Sequence, residues 1–227
     1  HVTVKLFELM DIINFFDITN VFFTIANYPV SYIEFIGSLA GIIAVYYAAK
    51  SDIKTWPIGL INIILFFIIF YKVQLYSDMF LQCYFFGISI YGWIYWIGRE
   101  KEHKPIQILN LQQRIKLALI VLVSTILFGY FISNIHVYFP ALFPRPAAFA
   151  YADSFVAVTS VIANTLMARR IFENWFLWIV VDIICVYLYF SKDIVFVSFE
   201  YFIFLCLAVF GHFSWWNEYS KIKLKTV

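Results

Sequence analysis

The chain has 227 residues, 63% of them hydrophobic and 22% aromatic, with a mean hydropathy of +0.85. Only 13% are charged, against roughly 25% in soluble domains, which excludes a water-soluble globule and leaves a bilayer as the place for the surplus Phe, Ile, Leu and Trp. The formal net charge of +2 says little by itself, and no nucleic-acid partner is expected.

The opening HVTVKLFELM has no basic leader ahead of an uninterrupted apolar core, so no cleavable signal peptide is predicted. Residues 6–28 are apolar but broken by Glu8, Asp11, Asn14, Asp17 and Asn20. Carboxylates at that density make a full span costly, so an interfacial helix is expected there in preference to an eighth span. Seven apolar stretches then follow at 32–50, 56–71, 79–97, 115–132, 152–168, 175–190 and 194–213, each near the length needed to cross about 30 Å of hydrocarbon. Residues 98–114 read as a charged, soluble loop. Residues 133–151 carry Pro140, Pro144 and Pro146 and read as a stiff connector. Cys83, Cys185 and Cys206 lie inside apolar runs at unrelated spacings and read as packing residues.

With seven spans, one side of the membrane receives twelve Lys and Arg and the other only Lys72, Arg145 and Lys192. The positive-inside rule then puts the C-terminus in the cytoplasm. Shifting the chain by 119 residues aligns Tyr32 with Tyr151, Glu34 with Asp153 and Trp56 with Trp175, then Gly92 with Gly211 and Trp96 with Trp215. A single linker helix between two triplets makes them run in the same direction, a parallel-repeat transporter architecture. The predicted fold is therefore all-α and integral to the membrane, a 3+1+3 bundle with an N-terminal interfacial helix. Its segments are 1–30, a first three-helix repeat at 31–98, loop, linker helix and connector at 99–150, a second repeat at 151–216, and a basic tail at 217–227. The middle helix of each triplet looks short, at 16 residues, which points toward a substrate site.

The stretch WPIGLINIILFFIIFYKVQLYSDMFLQ at 56–82 and IYGWIYW at 90–96 resemble the PnuC family of nicotinamide riboside transporters. LMARRIFENWFLWIVVDI at 166–183 and FEYF at 199–202 carry the same resemblance in the second half. It implies uptake of nicotinamide riboside, a precursor of NAD, through a trimer of 3+1+3 subunits in the bacterial cytoplasmic membrane. It also implies facilitated diffusion, with a cytoplasmic kinase trapping the product. The expected partners are the riboside, the lipid bilayer and further copies of the chain; no cofactor or metal is expected.

Four carboxylates lie in or near the spans, Glu34, Asp153, Asp182 and Glu200, whereas every Lys and Arg falls at a helix end or in a loop. Asp182, near mid-helix, is a functional hypothesis by default. An acidic interior without basic partners suits a cation, and nicotinamide riboside carries a fixed pyridinium charge. Trp175, Trp178 and Asp182 stand at i, i+3 and i+7, so they share a helix face. Asp153, Ser160 and Asn164 form a second polar stripe, read equally well as glue between helices. Asn62, Gln82, Glu200 and Tyr201 complete the candidate substrate-binding set. Trp96, Trp215 and Trp216 are expected in an interfacial belt. Gly37 and Gly41 read as close helix packing, and His212 as structural. A sugar carrier would need no buried carboxylate. An intramembrane enzyme would want clustered histidines or a nucleophile with a base, and the four histidines are scattered. No Gly-rich Walker loop occurs.

Overall fold

The computed structural model describes residues 17–25, 27–72, 76–101, 105–141, 146, 149–191 and 195–225. It opens on a hairpin of β1 (Val21–Ile25) and β2 (Tyr28–Ser31), with Val21 opposite Ser31 and Ile25 opposite Tyr28. Asn27 takes the left-handed conformation the turn needs, φ 65°, which Asn tolerates better than most residues. This corrects the interfacial helix expected over 6–28: residues 21–25, VFFTI, are β-branched and aromatic and pair as a strand. The remainder of that expected helix, before residue 17, lies outside the described residues. Asp17 just ahead of the hairpin accepts from the Thr19 backbone and hydroxyl, at 2.9 and 2.8 Å, and pairs with Lys72 at 3.3 Å. Those donors hold its carboxyl at about 2, well below the usual range.

Among the described residues seven helices follow: α1 (Tyr32–Ala49), α2 (Thr55–Lys72), α3 (Tyr76–Lys101), α4 (Leu111–Tyr138), α5 (Ala150–Ala168), α6 (Asn174–Ser191) and α7 (Val195–Lys225). Six are long and apolar enough to cross a membrane. The exception is α5, which buries Ser154, Thr159, Ser160 and Asn164. Ser31 caps α1 by accepting the Glu34 N–H at 3.3 Å, and Asn110 with Gln113 forms a reciprocal capping box at the start of α4. α2 and α6 are 18 residues each, the same as α1, so helix length does not single out the middle helices.

Neighbouring helices run α1–α2–α3–α5–α6–α7 and back to α1, closing a ring of six, while α4 lies outside against α5. Small residues let α1 approach closely. A Cβ on Gly37 would meet Phe66 at 3.0 Å and one on Gly41 would meet Asn62 at 2.9 Å, as the spacing predicted.

Backbones across the ring stay apart, but tryptophans bridge it at one end. Trp56, Trp96, Trp175 and Trp215 are 2%, 2%, 1% and 0% exposed. Trp56 meets Trp96 edge-on at 5.3 Å, Trp96 meets Trp215 at 6.1 Å, and Trp215 meets Trp175 edge-on at 5.6 Å. Most features of this corner occur twice, 119 positions apart, while the carbonyls that accept the two indoles, Ala48 and Ala168, are offset from that shift by one position. Trp56 lies on Gly92 and Trp175 on Gly211. Ser51 and Arg170 both turn through φ 55°. The Trp96 indole donates to the Ala168 carbonyl at 3.1 Å, and the Trp215 indole to the Ala48 carbonyl at 2.9 Å. Trp96 and Trp215 are thus core residues and not a belt, because each indole N–H has a carbonyl partner in the other triplet of helices; Trp216 is half exposed.

The segment expected as a soluble loop at 98–114 is docked in its described part. Gln107 pairs with the α5–α6 corner, donating to the Arg170 carbonyl at 3.0 Å and accepting from the Phe172 N–H at 2.9 Å. Arg114 is bound to Glu173 at 2.9 Å.

Candidate functional site

Asp182 stands eight residues into α6, roughly 12 Å along its axis. It is 3% exposed, and no hydrogen bond or ion pair reaches its carboxylate among the described residues. A carboxylate taken out of water without a partner is expensive, so a group arriving from outside has a strong claim on it. Trp178 lies one turn earlier on the same face; its side chain is half-buried, and its buried indole N–H has no acceptor among the described residues. The adjacent helix α5 brings Ser160 and Asn164, one turn apart and both buried. α5 and α6 therefore supply a carboxylate, an indole, a hydroxyl and an amide.

The other predicted residues are more dispersed. Trp175 is enclosed in the tryptophan cluster, against Trp215 and Gly211, and Trp178 packs against the same cluster while staying partly exposed. Asn62 on α2 donates to the Gly37 carbonyl of α1 at 2.8 Å and so ties two helices together. Gln82 is the polar lining residue of an otherwise apolar groove of about 270 Å³ between α2 and α3, with Ile63, Phe67 and Phe86. On α7, Tyr201 stacks on Tyr189 of α6 at 5.3 Å and 8°, next to half-buried Glu200. Asp153 is exposed at the start of α5, apart from Ser160 and Asn164, so the buried part of the expected stripe begins about two turns later, at Ser160. His212 packs on Phe172 at 4.7 Å, in keeping with a structural role.

At the hairpin end, the Tyr28 hydroxyl donates to Glu34 at 2.7 Å while its ring stacks on Phe196. Burial and the neighbouring Glu34 carboxylate push the Tyr28 phenol up. Sequence reasoning missed Tyr84 of α3, whose hydroxyl lies 2.6 Å from Thr165 Oγ1 and donates to the Val161 carbonyl of α5 at 3.2 Å. As one of 16 tyrosines, it carried no distinguishing signal. Thr159 and Ser154, both fully buried on α5 with unpartnered hydroxyls, were missed as well. Their clustering with Ser160 and Asn164 in one apolar span was the available clue. Among the described residues no group of three or more His, Cys, Asp and Glu is placed to hold a metal.

Residues 31–217 match the family described as nicotinamide mononucleotide transporter. The nicotinamide riboside transporter PnuC of Escherichia coli is 31% identical, over 90% of this chain and 95% of that protein. PnuC of Neisseria mucosa is 26% identical over 82% of this chain and 73% of its own. The riboflavin/roseoflavin transporter RibM of Streptomyces davaonensis is 23% identical over 86% and 89%. The crystal structure of the vitamin B3 transporter PnuC superposes with a TM-score of 0.60 at 23% identity, over 84% of this chain and 83% of that one. A match over this much of the sequence, joined to six helices long and apolar enough to cross a membrane, places the chain among multi-pass membrane transporters and not enzymes: it belongs to the nicotinamide mononucleotide transporter family, together with the PnuC proteins.

Proposed function

We propose that the chain carries nicotinamide riboside across the bacterial cytoplasmic membrane by facilitated diffusion, with alternating access to a site inside the six-helix ring. The observation that carries this reading is Asp182, buried and unpaired on α6 one turn from Trp178, whose indole N–H has no acceptor among the described residues. Described Lys and Arg residues stand at helix ends, in loops or on α4, so a fixed pyridinium cation meets acceptors and π-faces inside and no competing base. Ser160, Asn164, Glu200, Tyr201, Gln82 and Asn62 would serve the ribose hydroxyls and carboxamide. The matched corners 119 residues apart support two parallel three-helix repeats, 31–98 and 151–216, in a SWEET-like 3+1+3 order with the linker helix outside. A homotrimer and a cytoplasmic C-terminus complete the proposal, the latter from the basic residues gathered at the tryptophan end.

The family's description names the mononucleotide, whose phosphate is dianionic. It would meet Asp182 and Glu200 with no cation beside it, at a cost of several kcal/mol. Proteoliposomes are therefore expected to equilibrate labelled riboside without concentrating it, and to leave the mononucleotide outside. Riboside accumulation driven by an imposed ion or pH gradient would sink the diffusion reading, and mononucleotide uptake at the riboside's rate would sink the selectivity. Similarity to RibM favours riboflavin as the second reading, tested by whether riboflavin competes with labelled riboside.

Trp178→Ala is expected to weaken riboside binding by about 1–2 kcal/mol through the lost cation–π contact. Calorimetry on the purified protein checks it. Unchanged affinity in a folded variant moves the aromatic contact elsewhere in the ring.

A further inference from the structure

The four buried tryptophans fill the middle of the ring at the end where Lys50 and Arg170 stand. No solute the size of a nucleoside crosses a packed indole cluster, so this plug must part for transport. Beyond it lies a polar crevice of about 470 Å³, with Trp96 in its wall beside Lys50, Ser51, Asp52, Arg170 and Glu218. Trp96 therefore faces both the plug and the crevice. What fastens the plug is polar and joins the two triplets of helices. Glu218 on α7 accepts from the Ser51 hydroxyl at 2.5 Å and from the Arg170 guanidinium at 2.7 Å. The same guanidinium lies 5.2 Å from the centre of the Trp96 ring. The two indole-to-carbonyl bonds cross between the triplets in opposite senses.

We propose that Glu218 is the clasp of an inner gate. It pins the left-handed corners at Ser51 and Arg170 to each other, Arg170 presses on Trp96, and release of Glu218 lets the indoles swing away from Ala48 and Ala168. This rests on the transport reading, but the gate itself is independent of which solute is carried. A clasp of this kind sets the balance between closed and open states. Its exposed rim, with the Glu218 side chain one-third exposed, makes it weaker than a fully buried pair and so able to open.

The test uses the full-length chain with Cys83, Cys185 and Cys206 changed to alanine, and Ser51→Cys with Glu218→Cys joined by a short bis-methanethiosulfonate. The comparison is the same protein with each thiol capped separately. Uptake of labelled riboside is expected to fall at least tenfold on cross-linking and to return on reduction, while calorimetric binding of the riboside persists. A second readout needs no solute. Ala208→Cys, placed at the buried wall of the plug, is expected to react with N-ethylmaleimide at least tenfold more slowly when cross-linked than when capped. Equal labelling rates in the two forms overturn the gate, whatever the chain transports. Labelling that obeys the cross-link in a protein that neither binds nor carries riboside keeps the gate and overturns the choice of solute alone.

Discussion

Gly211→Ala and Gly92→Ala are expected to destabilise the protein by similar amounts, about 1–3 kcal/mol each. That corresponds to a fall of roughly 2–4 °C in thermal midpoint per kcal/mol for a chain of this size. The reason is geometric. A Cβ on Gly211 would lie 2.6 Å from the Trp175 ring, and one on Gly92 would lie 2.4 Å from the Trp56 ring. Both rings are boxed in by the cluster and cannot retreat. Gly129→Ala makes an equally short approach, 2.4 Å from Tyr151, yet Tyr151 is half exposed and can swing aside, so a smaller loss is expected. Gly87 and Gly98 have nothing within 4 Å of such a Cβ, and alanine there should gain about 0.5–1 kcal/mol from helix propensity. Thermal unfolding in detergent, followed by indole fluorescence, ranks all five. Equal effects at Gly87 and Gly211 would mean that the tryptophan packing described here does not hold the fold.

Asp182 gives the second large effect, and its sign is opposite for stability and for transport. Asp182→Leu removes a buried, unpaired carboxyl group from α6, so the ligand-free protein is expected to melt higher. Riboside uptake should fall at least tenfold, on the order of the 1–3 kcal/mol lost when a buried hydrogen-bond partner disappears. Such a trade between stability and function is common at binding sites. Asp182→Asn separates the two roles of the group. As an acceptor for a ribose hydroxyl, it is largely replaced by the amide carbonyl, with a loss within about 0.5–1.5 kcal/mol. That is the expected outcome, because Glu34 and Glu200 also bias the interior toward a cation. A much larger loss in Asp182→Asn, together with a smaller loss for an uncharged reduced-ring analogue, would assign Asp182 to charge balance instead.

The helices were legible because a bilayer demands long apolar runs. The stretch read at 32–50 forms Tyr32–Ala49, and that at 175–190 forms Asn174–Ser191. Hydropathy is blind once a helix leaves the lipid, so the stretch at 115–132 is extended at both ends to Leu111–Tyr138, and the last helix runs on to Lys225. The hairpin was misread because its polar neighbours drew attention to cost in a membrane and away from the strand-forming VFFTI. The tryptophans were misassigned for a different reason. An indole near a helix end looks the same in a linear pattern whether it faces lipid headgroups or a carbonyl 72 or 167 residues away. Of the candidate site, Asp182 and its helical partner Trp178 were visible through charge and spacing. Tyr84 and the enclosure of Trp175 depend on which helices meet, and local sequence does not encode that.

The crossed indole bonds also fix an order of events during synthesis. Trp56 and Trp96 belong to neighbouring helices and can pair as soon as α3 is inserted. Ala48, by contrast, receives its indole from a residue made 167 positions later. At about 5–20 residues per second, the first triplet waits on the order of 10–30 seconds for Trp215. Throughout that interval its inner wall stays uncovered to lipid, water or an insertion factor. Completion of the nascent transporter is therefore governed by the arrival of its last helix, and a ribosome stalled shortly before residue 215 would leave a half-closed chain for membrane quality control to find.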